Sequence, residues 1–584
     1  MEAQMPVDAN LNDPALRRRA VQAARQELPF DLLIEGGTVL DMVTGEERAA
    51  DIGIVGALIA SVHTAGAAAN AETRVDATGK FLLPGLIDTH MHVESSMITP
   101  TEYAAHMVPR GVTTALWDPH ELANVAGLAG MEYAFAAARA AALRFLPLVP
   151  TCVPSAPGFE TSGADFDAQT IAALLDRPET HGAAELMTMH PLLSGDQRAQ
   201  DIVAAGLASG KPVCGHARGL TGPDLNAFVA AGVETDHELT SGADLLEKLR
   251  AGLTIELRGS HTHLLPEFVS VLLELGHLPQ TVTLCTDDVF PNDLLEKGGL
   301  DALMRVLMSL GLPPAWVYRA ATLNAARRIG RNDLGLLAPG QRADFLIAAD
   351  LSDVEIEAVY MDGSRVAENS ALTAEQEPVA LPTTLTNTVK SSLTKPADFE
   401  LRATGNSIDV PTLRKPRFPE WGNRKLNVAS GIVQVPDALI RMAVLNRHSV
   451  GDLVQLALLE DWGLMRCAVA TTVSHDSHNL TVFGHKPGDM ALAANAVSST
   501  QGGLAVAADG VILQTVALPV AGIMSEDSLS SVSGRFNDWV SALSNATSWE
   551  PPYFVMKALF GASLVCNSGP RLSDHGIVDP FQTT

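Results

Sequence analysis

Closely spaced cysteines are missing from this chain. Its five (Cys152, Cys214, Cys285, Cys467 and Cys566) stand far apart, and no CxxC pair occurs. That excludes a zinc ribbon and speaks against a disulfide framework, so a reducing compartment fits. Positive charge is scarce as well: 40 Lys and Arg face 67 Asp and Glu, a formal net charge of −27. Such a surface repels phosphate backbones, and no nucleic-acid partner is expected. No apolar run reaches the ~18 residues of a membrane-spanning helix, so no membrane span is expected either. The first 30 residues carry LRRRAVQAARQ and no apolar core of a secretion signal. A cytoplasmic location is the expectation. Internal repeats and low-complexity tracts are absent.

What is present is apolar and long. Hydrophobic residues make up 47% of 584 positions, a globular composition too large for one core. Residues 31–80 read as short strands and turns. Apolar strand-like runs then alternate with Ala-rich helical stretches, the signature of βα units on a parallel sheet. Eight such runs can be counted: LLPGLIDTH, VTTALWDPH, RFLPLVPTCV, AAELMTMH, KPVCGHA, VETDHE, LTIELRGS and TVTLCTDD. That number over this length predicts an α/β fold, a (β/α)8 barrel over 81–333. Residues 31–80 and 334–367 are expected to pair into a small β-sandwich split by the barrel. An N-terminal extension (1–30), a Thr-, Pro- and Glu-rich linker (368–399) and a C-terminal α+β domain (400–584) complete the expected organisation.

The run ends carry the chemistry. His90 and His92 close the first run two residues apart, so both imidazoles leave one face of a strand. Alone this spacing is weak. But run two ends in Asp118-Pro119-His120-Glu121, run four contains Glu185, run five ends in His216, run six in Asp236-His237-Glu238, and run eight in Asp287-Asp288. In a parallel barrel all these ends meet at one mouth. Four His, one Glu and one Asp converging there point to a two-metal site rather than to separate accidents. Two cations need a bridging anion, which Glu185 can supply with its two oxygens. Such metals hold a water and lower its pKa, and Asp287 is placed to take its proton. The bland alternatives are a hydrogen-bonded core histidine, a solvated Glu185, and helix capping by Asp118 or Asp287.

These residues sit in longer stretches that carry a resemblance. PGLIDTHMH with the later GHA, DHE and TDD resembles the amidohydrolase superfamily. THMHVESSMITP, GVTTALWDPHELANVAG, VPSAPGFETSGA, LCTDDVFPNDLLEKGGLD and TTVSHDSHNLTVFG are similar to its adenine-deaminase family, from about residue 30 to beyond 560. The resemblance implies hydrolysis of adenine to hypoxanthine and ammonia by a hydroxide held between two divalent ions, as in purine salvage. It implies His90, His92 and Asp287 on one metal and His216 and His237 on the other. Glu185 would bridge them where many relatives have a carbamylated lysine. Manganese or iron is implied ahead of zinc. Arg218 stands where the family pattern often has proline, and ELRGSHTH in run seven is less typical.

Asp287 and Glu185 are thus the expected catalytic pair, with Asp118, His120 and Glu121 reading the purine edge and Glu121 holding a ring proton. Asp288 and His478 are further substrate-binding candidates. The loop with His475, Asp476, His478 and Asn479 either completes the pocket or is a polar turn. Adenine is the expected small-molecule partner, and a homo-oligomer, a dimer, the expected assembly. The alternative is another hydrolase of the superfamily acting on a related purine or cyclic amide. The other nucleobase-deaminase fold needs H-x-E followed by P-C-x-x-C; His92-Val93-Glu94 meets the first half, and no cysteine pair meets the second.

Overall fold

Three bodies of secondary structure succeed one another in the computed structural model, which describes residues 8–416, 419–448, 454–548 and 558–580. Residues 1–7 of the expected N-terminal extension lie outside the described residues. The rest of it is packed down. Asp13 caps the helix Pro14–Ala24, accepting from the N–H of Ala15 at 3.0 Å and of Leu16 at 3.3 Å. Asp8 meets Arg144, Arg331 and Arg342 at 2.9, 3.1 and 3.3 Å, tying the extension to the central region.

Strands from both flanks of that region share one nine-stranded sheet. Its hydrogen bonds run continuously from one flank to the other. Phe81–Pro84 joins the flanks: it runs parallel to Phe30–Leu40 and antiparallel to Phe345–Asp350. The expectation began the barrel at residue 81, but this strand belongs to the flanking sheet. The switch falls at Gly85, where a Cβ would stand 2.2 Å from the Thr113 hydroxyl. The apolar run is continuous across it, so composition gives no sign of the change.

Eight parallel strands follow: β1 (Leu86–Met91), β2 (Val112–Trp117), β3 (Arg144–Val149), β4 (Gly182–Leu186), β5 (Val213–Gly215), β6 (Thr235–Asp236), β7 (Thr254–Arg258) and β8 (Val282–Cys285). They form two curled arcs, β1 to β5 and β6 to β8, each in sequential order. Single contacts span the two seams. The N–H of Glu234 donates to Val213 O at 3.0 Å, and that of Ala217 to Asp236 Oδ1 at 2.6 Å. Across the other seam Asp287 N–H donates to His90 O at 3.0 Å, and the Thr286 hydroxyl to Asp88 Oδ2 at 2.5 Å. β1 and β2 are buried along their whole length, as strands covered on both faces must be.

The stretch read as a linker is held to the protein surface. Gln376 accepts from Ala142 N–H at 2.6 Å and donates to Thr101 O at 2.9 Å, and Leu385 is buried. Beyond it a second nine-stranded sheet carries the helices Pro487–Ser499 and Leu529–Ala546. This C-terminal body docks on the loops after the parallel strands. Ser525 N–H donates to Met97 O at 2.9 Å, and Leu529 N–H to Glu102 Oε1 at 2.7 Å. Asn479 donates to Thr161 O at 2.9 Å.

Candidate metal centre and active-site cavity

The C-terminal ends of the parallel strands bring His90, His92, Glu185, His216, His237 and Asp287 into one buried cluster. His90 lies on β1 and His92 just past it, with ring centroids 4.8 Å apart. Asp287 follows β8 in a left-handed conformation (φ 56°), which turns its carboxylate back toward β1. Its Oδ1 is 3.6 Å from His90 Nε2 and 3.4 Å from His92 Nε2.

Glu185 divides its oxygens. Oε1 stands 3.7 Å from His92 Nε2 and 3.7 Å from His120 Nδ1. Oε2 stands 3.0 Å from His216 Nδ1 and 3.2 Å from His237 Nε2. One carboxylate therefore faces two groups of imidazoles, the arrangement of a bridging ligand. The donor set of neutral nitrogens and carboxylate oxygens suits divalent manganese, iron or zinc. His90 Nε2 is buried without a hydrogen-bond partner, which a metal ligand would explain. His237 Nδ1 faces Glu256 Oε2 at 3.9 Å, a carboxylate behind the ligand of the kind that orients metal-binding imidazoles.

Electrostatics separate the groups. Burial opposes ionisation of Asp287, yet the Arg258 guanidinium and the rings of His90 and His92 hold its carboxyl well below the usual range. Burial likewise opposes ionisation of Glu185, and His216 and His237 outweigh it. Burial opposes protonation of His92, but Asp287 raises its pKa to about 10. Glu185 and Asp287 thus place buried negative charge among the imidazoles, charge that a divalent cation can balance.

A cavity of about 190 Å³ opens on this cluster, well below the ~300–1,000 Å³ of drug-sized sites. Of the residues expected to touch substrate, His120 and Asp288 border it. Asp118, Glu121 and His478 are fully buried behind the wall. Asp118 does not cap the helix His120–Ala126, whose N-cap is Pro119; it faces His120 Nδ1 at 3.2 Å. Glu121 accepts from the Ser95 hydroxyl at 3.1 Å, and that hydroxyl also lies 2.6 Å from Asp288. His478 stands 3.5 Å from Glu121 Oε2, its Nδ1 toward Thr472 O at 3.1 Å. From the same loop it is His475 and Asp476 that reach the cavity.

Sequence reasoning left Arg258 and Glu238 without a role. Arg258, at the end of β7, spans Asp287 and Glu238, and Arg218 pairs with Glu238 from the other side. The Arg218 that departs from the family pattern thus has an acidic partner two residues beyond Asp236. The signal was there in ELRGS, a charged residue at a strand end like the others.

The comparisons bear on the whole length. Residues 81–366 match the model described as "Amidohydrolase family", and residues 418–583 match "Adenine deaminase C-terminal domain". Over 577 residues the chain is 54% identical to a Rhizobium etli protein named "Adenine deaminase 2", covering 99% of this chain and 96% of that one. A Rhizobium meliloti protein of the same name is 54% identical, covering 99% and 97%. A Serratia proteamaculans protein named "Adenine deaminase" is 48% identical, covering 96% and 95%.

Proposed function

The chain belongs to the adenine deaminases of the amidohydrolase family, and we propose from that premise that it hydrolyses adenine to hypoxanthine and ammonia at the cluster around Glu185. The two strand arcs are read as one (β/α)8 barrel whose mouth holds that cluster. A single observation carries the reading. The two oxygens of Glu185 face separate imidazole groups, His92 with His120 and His216 with His237, beside Asp287. His90, His92 and Asp287 would hold one divalent ion, His216 and His237 the other, with Glu185 between them. Manganese or iron is the proposed pair, and when bound it supplies an acidified water at neutral pH.

The chain's own residues do the rest. Water adds at C6 of adenine, and the amine leaves as ammonia. Asp287, kept ionised by Arg258, accepts the proton of the attacking water and returns it to the departing nitrogen. Asp288 and His120 border the cavity and are placed to touch the purine edge. Asp118 and Glu121 act from behind, Asp118 on His120 and Glu121 on His475. The small volume suits one bicyclic base.

Protein loaded with manganese or iron, assayed for hypoxanthine and ammonia from adenine, tests this. Equimolar release of both is expected. Turnover of a dihydropyrimidine or an N-acetyl sugar with adenine untouched would overturn it. A cytoplasmic location and a dimer are part of the same proposal; among the described residues no helix is long and apolar enough to cross a membrane. Size-exclusion chromatography with light scattering tests the dimer.

A further inference from the structure

The cavity has two walls of different origin. The metal-side wall comes from the strand ends. The opposite wall comes from beyond residue 400, with His475, Asp476, Phe560, Gly561 and Leu564 bordering the space. These belong to two separate segments, and the segments are tied together. The Ser474 hydroxyl lies 2.5 Å from that of Ser563. From behind, Arg447 donates to His478 O at 3.0 Å, and its N–H donates to Asn479 Oδ1 at 3.0 Å. The wall is therefore a supported surface, not a loose loop tip.

Its chemistry divides into a polar edge and an apolar face. His475 Nδ1 stands 4.0 Å from Glu121 Oε1 and 3.7 Å from Asp476 Oδ1. Two carboxylates on one imidazole favour its protonated, hydrogen-bond-donating form. Asp476 Oδ1 also faces His120 Nε2 at 3.7 Å, so the C-terminal loop touches both imidazoles on this side of the cavity. Phe560 meets Phe290, which follows β8, edge to face with ring centroids 5.6 Å apart. Both rings border the cavity. A flat heteroaromatic ring with acceptor nitrogens on its edge matches such a surface: an aromatic face for the ring and a cationic donor for a nitrogen.

We propose that the C-terminal domain supplies the base-recognition wall of the active site, with Phe560 packing on the purine and His475 donating to a ring nitrogen. This rests on the reading of the site as an adenine hydrolase. It makes the second domain part of the specificity of the reaction, and makes Glu121 a positioning residue that acts through His475.

Phe560→Leu and His475→Gln test it in the full-length, metal-loaded enzyme. Both retain bulk, and neither side chain belongs to the metal cluster. Two readouts accompany kcat and KM for adenine: metal content per chain, and the affinity for purine, which lacks the 6-amino group and reports binding without turnover. For Phe560→Leu a KM rise of at least fivefold and an equal loss of purine affinity are expected, with kcat within a factor of two. For His475→Gln, kcat/KM should fall at least tenfold. Metal content should match wild type in both. Unchanged kinetics and purine binding in both variants would overturn the proposal. So would losses that track loss of metal or a melting temperature lowered by more than a few degrees, since the wall would then be structural. Failure of the wild type itself to hydrolyse adenine would instead sink the underlying reading of the site.

Discussion

Arg258 closes a salt bridge on Oδ2 of Asp287, while Oδ1 of the same carboxylate faces His90 and His92. The two oxygens thus have separate tasks. One points into the histidine cluster, and the other is fixed by a guanidinium that also spans to Glu238. A planar fork can hold two carboxylates at once, which a lysine ammonium cannot do in the same geometry. Arg258→Lys is therefore expected to lower kcat by about 10-fold, and Arg258→Met by about 10²-fold or more, the scale on which small misplacements act. Metal analysis should show at least one ion retained, because Arg258 is not among the proposed ligands. Near-normal kcat in Arg258→Met would remove this residue from the mechanism.

Glu185→Gln keeps the shape of the bridge and removes its charge. Four imidazoles then face a neutral amide at the distances where a carboxylate stood. Metal-ligand affinity rests on that charge, so loss of at least one ion per chain and of activity beyond ~10²-fold is expected. Two ions retained per chain, read by plasma mass spectrometry after desalting, would show that Glu185 is not the bridge.

Arg447 is a buried cation with unusual partners. Its guanidinium donates to Thr388 O, the Thr388 hydroxyl, His478 O and Ala521 O at 2.7–3.1 Å. Among the described residues no carboxylate pairs with it, and burial lowers its pKa to about 9. It nests against Gly522, where a Cβ would stand 2.2 Å from its Nη2. One side chain thus joins the segment before the C-terminal sheet to the loop behind His475. Arg447→Met would leave several buried carbonyls without donors, at ~1–3 kcal/mol each. We expect a drop in melting temperature of several degrees together with a raised KM for adenine. Unchanged thermal stability in the variant would show that water or a neighbour replaces the guanidinium at no cost.

The strand ends were legible because strand periodicity is short-range. His90 and His92 share a face by their spacing alone, and His216, His237 and Asp287 close apolar runs, while Glu185 lies inside one. The break at Gly85 was not legible, since two strands of different sheets share one unbroken apolar stretch. The cavity's second wall was only half legible. The SHDSHN loop stood out as polar, but which of its side chains would reach the cavity depends on a fold that closes over 350 residues away from β1. His478 faces Glu121 and Thr472, and it is His475 that borders the cavity. Phe560 carried no signal of its own, because a phenylalanine in an apolar stretch reads as core. Arg258 was visible as a charged residue at a strand end, yet a lone arginine does not announce its partner.

Glu160 gives a pH test outside the metal cluster. It is buried, accepts from the Ser155 hydroxyl at 2.6 Å and from Ala156 N–H at 3.0 Å, and its Oε2 has no partner. Burial is the largest cause that raises its pKa from 4.5 to about 7; Ser155 pulls the other way, and the Asp476 charge adds to the rise. The folded protein therefore binds this proton more tightly than the unfolded chain does. The stability it contributes is fully present below pH 4.5 and is lost as the pH rises through about 7. A span of that size corresponds to at most about 3 kcal/mol. Glu160→Gln keeps a neutral side chain of the same shape at every pH. Its stability relative to wild type should be smallest at pH 4, grow in favour of the variant as the pH rises to about 7, and level off above that. Comparing the two proteins at each pH cancels the titration of every other group. Parallel stability curves across that range, by urea denaturation, would mean that Glu160 is ionised in the folded protein and that water reaches its free oxygen.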